Sequence, residues 1–361
     1  MHEPYFGGNE QKYLNECIKS TFVSSVGKYV DLFEKQLASY CGVKKAVAVV
    51  NGTAALHTAF LVVGVEKNDE VLTQSLTFIA TANAISYCGA FPVFIDIDRE
   101  SMSMCPKALE SFLEKNALKT KNECINKISG NKIAACVPVH TFGFAAAIDE
   151  ICEICREWNI PVIEDAAEAI GSQFKNKSLG SYGDIGVFSF NGNKIITAGG
   201  GGALITNNLN YASKAKHLTT TAKTPHKYEL IHDEIGYNYR LPNLNAALVC
   251  AQLEGIEKIL KNKRRLAEEY KKFLSSIGIK FRWEQQNSRA NFWLMCIETE
   301  TKTERDQFLA ESNKLGVLTR PAWRLIHQLP MYKDCLKDKQ LNAEYLAERI
   351  INIPSSYREN K

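Results

Sequence analysis

The chain has 361 residues, of which 45% are hydrophobic and 23% are charged, and its formal net charge at pH 7 is +4. This composition supports a large buried core and excludes a disordered chain, and the small net charge without one long basic block disfavours nucleic acid as a partner. No apolar run approaches the roughly 18 residues of a membrane-spanning helix, and the first ten residues contain no signal-peptide core, so we expect a cytoplasmic protein without a membrane partner.

Short apolar runs alternate with amphipathic segments up to about residue 245, which is the pattern of a parallel sheet covered by helices. Strands are predicted at 46–50, 70–73, 92–98, 133–140, 161–165, 185–190 and 202–206. Helices are predicted between them, for example at 51–64, 80–89 and 148–159. Residues 1–245 are therefore expected to form a large α/β domain with a helical N-terminal segment.

The order of elements changes after residue 245. One long helix is predicted over 243–274, followed by strands near 279–283 and 292–298 and helices near 303–315 and 342–351. This profile predicts a smaller C-terminal α+β domain over residues 246–361, carried on the long helix.

The eleven cysteines form no disulfide framework, and their odd number suits a reducing compartment. The one C-x-x-C pair, Cys152 and Cys155, lies in a helical pattern, where residues three apart share a face. No second pair of ligands accompanies it, so we interpret it as core-facing and predict no metal site.

A lysine, Lys194, lies between the strand at 185–190 and the four glycines Gly199 to Gly202. The spacing is not that of a Walker loop, and it is not a dinucleotide fingerprint, because the glycines lead into another strand. From spacing alone, two interpretations stay open. The lysine is either a surface residue on a hairpin, or it is held close to a flat group that the glycines let the backbone approach.

Further polar residues lie at ends of predicted strands, where ligands of parallel sheets bind. Residues 52–54 begin a helix, so their N–H groups and a hydroxyl suit a phosphate, although an ordinary helix cap fits equally. Asp165 ends an apolar strand and needs a partner, because a buried unpaired carboxylate is costly. With Ser189 and Lys194, this set suits pyridoxal 5′-phosphate, which has a phosphate, a ring nitrogen and an aldehyde.

Several long motifs, in order and over nearly the whole chain, resemble the sugar-nucleotide aminotransferases of the DegT/StrS type. They are "VDLFEKQLASYCGVKKAVAVVNGTAALHTAF", "DEVLTQSLTFIATANAISYCGAFPVFIDID", "VIEDAAEAIGS", "GDIGVFSFNGNKIITAGGGGALIT" and "GYNYRLPNLNAAL". The resemblance implies the aspartate-aminotransferase-like PLP fold type I, pyridoxal 5′-phosphate as cofactor, and a homodimer. The segments "HEPYFGGNEQKYLNECIKSTFVSSVGKYV" and "FSFNGNK" are most similar to the legionaminic-acid or bacillosamine branch.

The resemblance makes Lys194 the Schiff-base lysine and Asp165 the partner of the pyridine nitrogen. It implies further cofactor contacts, which are Thr53, Ala54 and Ser189 at the phosphate, Phe78 stacked on the ring, and Asn238 at the phosphate of the neighbouring subunit. Glu168 stands where the family often has Gln or His beside the phenolic oxygen; an ionised Glu cannot donate to a phenolate, whereas a protonated one could. Substrate contacts are implied for Tyr239, Arg240, Arg320 and His327, with surface roles as the alternative for each.

The reaction implied by the resemblance moves an amino group from glutamate to a 4-keto-6-deoxyhexose on a nucleoside diphosphate, giving a 4-amino sugar. A lysine at 194 argues against the dehydratases of the family, which have histidine there. A 3-keto nucleotide sugar as substrate and a cofactor-binding regulator without turnover stay open. A nicotinamide dehydrogenase would share the alternating pattern, but the first strand is not followed by its glycine fingerprint. Asn238 follows a polar stretch, 219–233, that can extend towards a second subunit; capping its own turn is the alternative.

Overall fold

The structure is a computed structural model that describes residues 2–359. Within that range the α-helices are α1 (Glu10–Ser20), α2 (Lys28–Cys41), α3 (Gly52–Val63), α4 (Ala80–Tyr87), α5 (Pro106–Asn116), α6 (Ile148–Glu157), α7 (Leu209–Thr219), α8 (Asn243–Glu254), α9 (Ile256–Ser276), α10 (Lys302–Lys314) and α11 (Leu341–Ala347). The strands are β1 (Lys45–Val49), β2 (Glu70–Gln74), β3 (Phe91–Ile95), β4 (Ala117–Lys119), β5 (Cys124–Asn126), β6 (Ile133–Val137), β7 (Ile163–Asp165), β8 (Gln173–Phe174), β9 (Lys177–Ser178), β10 (Ile185–Ser189), β11 (Gly202–Thr206), β12 (Lys223–Thr224), β13 (Ile231–His232), β14 (Lys280–Phe281), β15 (Ser288–Arg289), β16 (Met295–Glu298), β17 (Arg320–Pro321) and β18 (Ile350–Ile353).

The predicted mostly parallel sheet is present. Strands β3, β2 and β6 form one part and β7, β10, β11 and β1 the other, in that order. Parallel bridges between Cys136 and Val162 and between Val139 and Asp165 join the two parts. Only β11 runs antiparallel to its neighbours in this sheet. Because helices cover both faces, strands such as β6 and β10 are buried at every residue, which explains their uninterrupted apolar sequences.

Helix α3 brings a helix N-terminus to the carboxyl edge of this sheet. It begins at Gly52, three residues after β1 ends, and it packs on β10 and β11. The carboxyl ends of β7 and β10 lie at the same edge, because these strands are parallel and paired through Val187 and Asp165. The fold therefore gathers the strand-end residues that the sequence singled out.

The prediction of one long helix over 243–274 is wrong. The structure has two helices, α8 and α9, which meet at Gly255. The Gly255 amide donates to Gln252, three residues back, so the i to i−4 hydrogen bonding of a continuous helix is interrupted there. Helix α8 packs on α1 and α2, whereas α9 packs on β14. The division of the chain at residue 245 remains a prediction.

The helix predicted near 342–351 ends earlier than expected. Helix α11 stops at Ala347, and Ile350–Ile353 is the strand β18. This strand lies between β16 and β17 in the antiparallel sheet β14-β16-β18-β17, and all four of its residues are buried. A run rich in β-branched residues suits an interior strand better than the last turn of a helix.

No helix within residues 2–359 combines the length and the apolarity needed to cross a bilayer.

Candidate active site

A cavity of about 620 Å³ opens at the carboxyl edge of the mostly parallel sheet. Residues from distant parts of the chain line it. They lie at the N-terminus of α3, at the ends of β7 and β10, and on β17 and β18 of the antiparallel sheet β14-β16-β18-β17. Of the residues expected from sequence, it brings together Thr53, Phe78, Asp165, Glu168, Ser189, Lys194 and Arg320.

The side chain of Lys194 reaches into this cavity from the turn that follows β10. Its amide donates to the Asn191 carbonyl, and its side chain is only 12% exposed. The amine lies 3.7 Å from Glu168 Oε1 and 3.9 Å from the centroid of the Trp293 ring. Burial lowers the pKa of Lys194, against the opposing effect of the carboxylates of Glu168 and Asp165. A lowered pKa increases the fraction of uncharged amine, which is the nucleophilic form.

Asp165 presents a buried carboxylate to the same cavity. Its Oδ2 accepts a hydrogen bond from the Thr81 hydroxyl at 2.7 Å, and its Oδ1 accepts one from the Ala167 amide at 3.1 Å. Burial raises the pKa of Asp165, although these two donors and the more distant Lys194 oppose that shift. No basic side chain of residues 2–359 lies within the 4.0 Å of an ion pair with Asp165. The site therefore lacks a close cation for this carboxylate, and a cationic group on a ligand would supply one.

Glu168 lies between the amine and the backbone of a neighbouring loop. Its Oε2 accepts a hydrogen bond from the Phe142 amide at 2.7 Å, while its Oε1 faces Lys194. Burial raises the pKa of Glu168 to about 7, against the opposing effects of Lys194 and the Phe142 amide. Near neutral pH this carboxyl group is present both protonated and ionised, so it can donate as well as accept a hydrogen bond.

The start of α3 and the end of β10, where the phosphate is expected to bind, lie against each other. A Cβ atom on Gly52 would lie 2.9 Å from Cβ of Ser189, so only glycine permits this approach. The first amides of a helix have no partner within it, and the Thr53 and Ser189 hydroxyls lie beside them. The Ala54 amide differs from the expectation, because it donates to the capping Asn51 side chain at 2.8 Å. Asn51 takes a donor that the sequence had assigned to the phosphate.

Phe78 is 54% exposed and lines the cavity wall, so its ring is available for stacking on a ligand.

Five of the expected residues do not line the cavity of their own chain: Ala54, Asn238, Tyr239, Arg240 and His327. Asn238 is exposed, and its side-chain oxygen accepts two hydrogen bonds from Arg240. The Tyr239 hydroxyl lies 3.2 Å from His57 Nδ1. His327 is buried, with its Nδ1 2.7 Å from the Ser75 hydroxyl. Its imidazole thus lies between Ser75 and Glu344, whose Oε1 is 3.7 Å from Nε2, and its substrate contact remains a prediction.

Several residues that line the cavity were given no role from the sequence, among them Thr81, His2, Trp293 and Trp323. Thr81, which bonds Asp165, lies within a quoted motif, "LTFIATAN", but no role was assigned to it. His2, Trp293 and Trp323 line the cavity from distant parts of the chain. No local pattern marks these three, because only the tertiary fold brings them to the cavity.

Both cysteines of the C-x-x-C pair lie on α6. Cys155 is buried and Cys152 half-buried, and all eleven cysteines are free thiols. Within residues 2–359, one group of three His, Cys, Asp or Glu side chains has its donor atoms within 4.8 Å of one another. It consists of His217, Asp233 and Glu234, none of which lines the cavity.

The chain is similar to known aminotransferases over nearly its whole length. The family model described as the DegT/DnrJ/EryC1/StrS aminotransferase family matches residues 4–359. The chain is 38% identical over 355 residues to the GDP-perosamine synthase of Escherichia coli O157:H7, covering 98% of this chain and 92% of that protein. It is also 38% identical over 363 residues to EpsN of Bacillus subtilis (strain 168), which carries the name of a pyridoxal phosphate-dependent aminotransferase, covering 98% and 90%. The crystal structure of a DegT DnrJ EryC1 StrS aminotransferase from Brucella abortus is similar at a TM-score of 0.87 and 28% identity, covering 96% of this chain and 90% of that one.

Proposed function

We propose a substrate and a set of residue roles on the premise that this chain belongs to the DegT/DnrJ/EryC1/StrS aminotransferase family. The chain has the PLP fold type I and is a pyridoxal phosphate-dependent sugar-nucleotide aminotransferase. The residue roles rest on one observation. Lys194, the buried carboxylate of Asp165, which has no close cation, and the N-terminus of α3 all line one cavity.

The residues present fit pyridoxal phosphate. The amides at the start of α3 and the hydroxyls of Thr53 and Ser189 would hold the phosphate, and Phe78 would stack on the ring. Asp165 is the anion that a protonated ring nitrogen needs, and Thr81 orients it. When bound, the cofactor supplies an aldehyde for the amine and a ring that withdraws electrons from the reacting carbon.

Lys194 is the catalytic residue in this proposal. It would bind the cofactor covalently through its amine and, when released, accept and return the proton of the reacting carbon. Its lowered pKa favours the free base that both tasks require. Glu168, 3.7 Å from the amine, can exchange a proton with it or donate to a neighbouring oxygen because its own pKa is raised to about 7.

The proposed reaction transfers the amino group of glutamate to a nucleotide-linked 4-keto-6-deoxyhexose, giving a 4-amino sugar. Support comes from similarity to GDP-perosamine synthases at 36–38% identity over 98% of the chain, since perosamine is a 4-amino sugar. These names favour GDP as the carrier. The legionaminic-acid or bacillosamine branch, which the names do not indicate, remains a prediction.

Arg320 is the proposed contact for an anionic group of the substrate. It lies on β17, it is exposed, and it lines the cavity. Within the described part of the chain it makes no ion pair. Its guanidinium is therefore free to pair with a carboxylate or a diphosphate.

We further propose a homodimer whose active sites take Asn238 from the second subunit. Asn238 lies outside the cavity of its own chain and is exposed. The hairpin and loop before it expose four large apolar side chains, Tyr228 at 81%, Leu230 at 74%, Ile231 at 40% and Ile235 at 83%. Exposed apolar groups of this size are typical of a surface that a partner covers. Cytoplasmic location also remains a prediction, supported by the eleven free thiols.

Incubation with 15N-glutamate and a small panel of nucleotide sugars tests the reaction. The panel contains GDP- and UDP-linked 4-keto-6-deoxyhexoses and one 3-keto isomer. We expect 15N in the 4-amino product of the GDP-linked sugar, no transfer by Lys194→Ala, and normal transfer by Lys177→Ala, a control at an exposed lysine. Labelling of only the 3-keto isomer would contradict the proposed position of amination, and labelling of only the UDP-linked sugar would contradict the carrier.

A further inference from the structure

We propose that His2 and Trp293 are positioning residues for Lys194, an inference that rests on the role proposed above for that lysine. Both side chains line the cavity, and both are buried. Their ring nitrogens meet at one atom, the carbonyl oxygen of Asn193. Asn193 is the residue directly before Lys194, so this oxygen belongs to the peptide group that joins the two.

The carbonyl oxygen of Asn193 has two donors. Trp293 Nε1 donates to it at 2.7 Å, and His2 Nδ1 lies at 2.9 Å. A carbonyl oxygen only accepts, so the proton of His2 must be on Nδ1. Burial lowers the pKa of His2 to about 2, with the Lys263 amine adding to the effect, so the ring is neutral. Two donors fix the plane of the peptide group and with it the direction in which the Lys194 side chain leaves the backbone.

Trp293 also contacts the other end of the lysine. Lys194 Nζ lies 3.9 Å from the centroid of its indole ring. The amine thus rests between an aromatic face and the Glu168 carboxyl group at 3.7 Å. An aromatic face attracts a protonated amine and gives no hydrogen bond that would have to be broken when the amine moves. One side chain therefore holds both the peptide before the lysine and the amine at its tip.

Hydrogen bonds to its backbone hold Trp293 in position. Its amide donates to Asn291 Oδ1 at 2.8 Å, and its carbonyl accepts from Lys263 Nζ at 3.3 Å. Lys263 is fully buried on α9, and it also donates to the Ser355 carbonyl. It forms no ion pair within residues 2–359. This amine therefore serves to bind two backbone carbonyls, one of which belongs to Trp293.

The segment 2–5 holds His2 against the far end of the described chain. The Glu3 amide donates to Ser356 Oγ at 3.0 Å, and the Tyr5 ring stacks on Tyr357 with centroids 3.9 Å apart. Residues about 190 positions away from Lys194 in sequence thus reach the peptide group beside it. The Glu3 amide and the Tyr5 ring thus hold the backbone that carries His2.

Four single variants of the holoenzyme test the proposal. His2→Phe and Trp293→Phe keep an aromatic ring and remove the N–H donor, while His2→Gln retains a side-chain donor. Tyr5→Phe is the matched control, because it removes only the contact with Lys258 from the same segment. One lost hydrogen bond corresponds to roughly a two- to tenfold change. We expect kcat to fall by that factor in His2→Phe and Trp293→Phe, with KM unchanged within twofold.

The absorbance of the bound cofactor gives a second readout that does not depend on turnover. The pH at the midpoint of the absorbance change reports the protonation of the group attached to Lys194. We expect this midpoint to shift by roughly 0.3–1 pH unit in both Phe variants. His2→Gln should restore most of the wild-type value, and Tyr5→Phe should not differ from wild type. Unfolding midpoints measured in parallel identify a general loss of stability.

Unchanged kcat and an unchanged midpoint in both Phe variants would overturn the inference. So would changes in His2→Phe that Tyr5→Phe reproduces, because those would reflect the segment and not the donor. If the wild-type enzyme carries no cofactor on Lys194, the proposed function fails instead. If it does and the Phe variants behave as wild type, only the positioning role fails.

Discussion

Replacing Glu168 by glutamine should make the cofactor-free protein more stable, and increasingly so as the pH rises. The carboxyl group is buried, and its Oε2 accepts a hydrogen bond that the amide oxygen of glutamine can also accept. Burial raises the pKa of Glu168 from its ordinary 4.5 to about 7. Because the folded-state pKa is the higher one, the folded state holds the proton more tightly than the unfolded chain. Below pH 4.5 the carboxyl group is protonated in both states, and its burial carries no ionisation cost. As the pH rises from 4.5 through 7, the unfolded chain ionises first, and the folded state loses stability relative to it.

The size of the effect follows from these two pKa values. The free-energy cost of Glu168 to the folded state is about 1 kcal/mol at pH 5 and about 3 kcal/mol at pH 8. Glutamine does not ionise and avoids this cost. The stability gained by Glu168→Gln should therefore grow by about 2 kcal/mol between pH 5 and pH 8.

Urea unfolding of the cofactor-free protein at both pH values, at one fixed protein concentration, measures this difference. Glu268→Gln, the same chemical change at an exposed position on α9, is the control and should show no such growth. A gain from Glu168→Gln that is independent of pH, or that shrinks as the pH rises, would refute the assignment of a raised pKa to this carboxyl group.

Three further predictions concern other parts of the site. Asp165→Asn removes the carboxylate that is proposed to form a charge-assisted hydrogen bond with the ring nitrogen, so kcat should fall by roughly 10- to 100-fold while cofactor still binds; near-parental turnover would contradict the proposed role of Asp165. Gly52→Ala forces a Cβ to within 2.9 Å of Ser189 Cβ, so the dissociation constant of the cofactor in equilibrium dialysis should rise at least tenfold, and an unchanged constant would show that the phosphate binds elsewhere. Co-expression of Lys194→Ala with Asn238→Ala should restore activity in mixed dimers, because one of their two sites then carries neither change; mixed dimers no more active than the parent variants would refute the shared site.

The strands of the mostly parallel sheet could be predicted because continuous burial leaves a continuous apolar sequence, as in β6 and β10. The break at Gly255 was missed because the apolar pattern continues through it, and a single glycine inside a helical pattern is often tolerated. The strand β18 was missed because its four buried residues give no period that separates strand from helix.

The site was predictable where its residues follow strands directly. Asp165, Ser189 and Lys194 lie in or just after β7 and β10, so the topology alone places them together. His2 and Trp293 could not be found in this way, since about 190 and 100 residues separate them from the lysine. The pKa of Glu168 was equally out of reach of the sequence, because it depends on burial by distant segments.

Borohydride reduction of the holoenzyme followed by peptide mass mapping identifies the lysine that binds the cofactor. Reduction makes the bond between the cofactor and its lysine permanent, so the modified peptide identifies the residue. We expect a single cofactor adduct on Lys194, within the peptide that follows β10, and none in Lys194→Ala. An adduct on a different lysine, or no adduct after incubation with pyridoxal phosphate, would contradict the assignment of Lys194 as the catalytic residue.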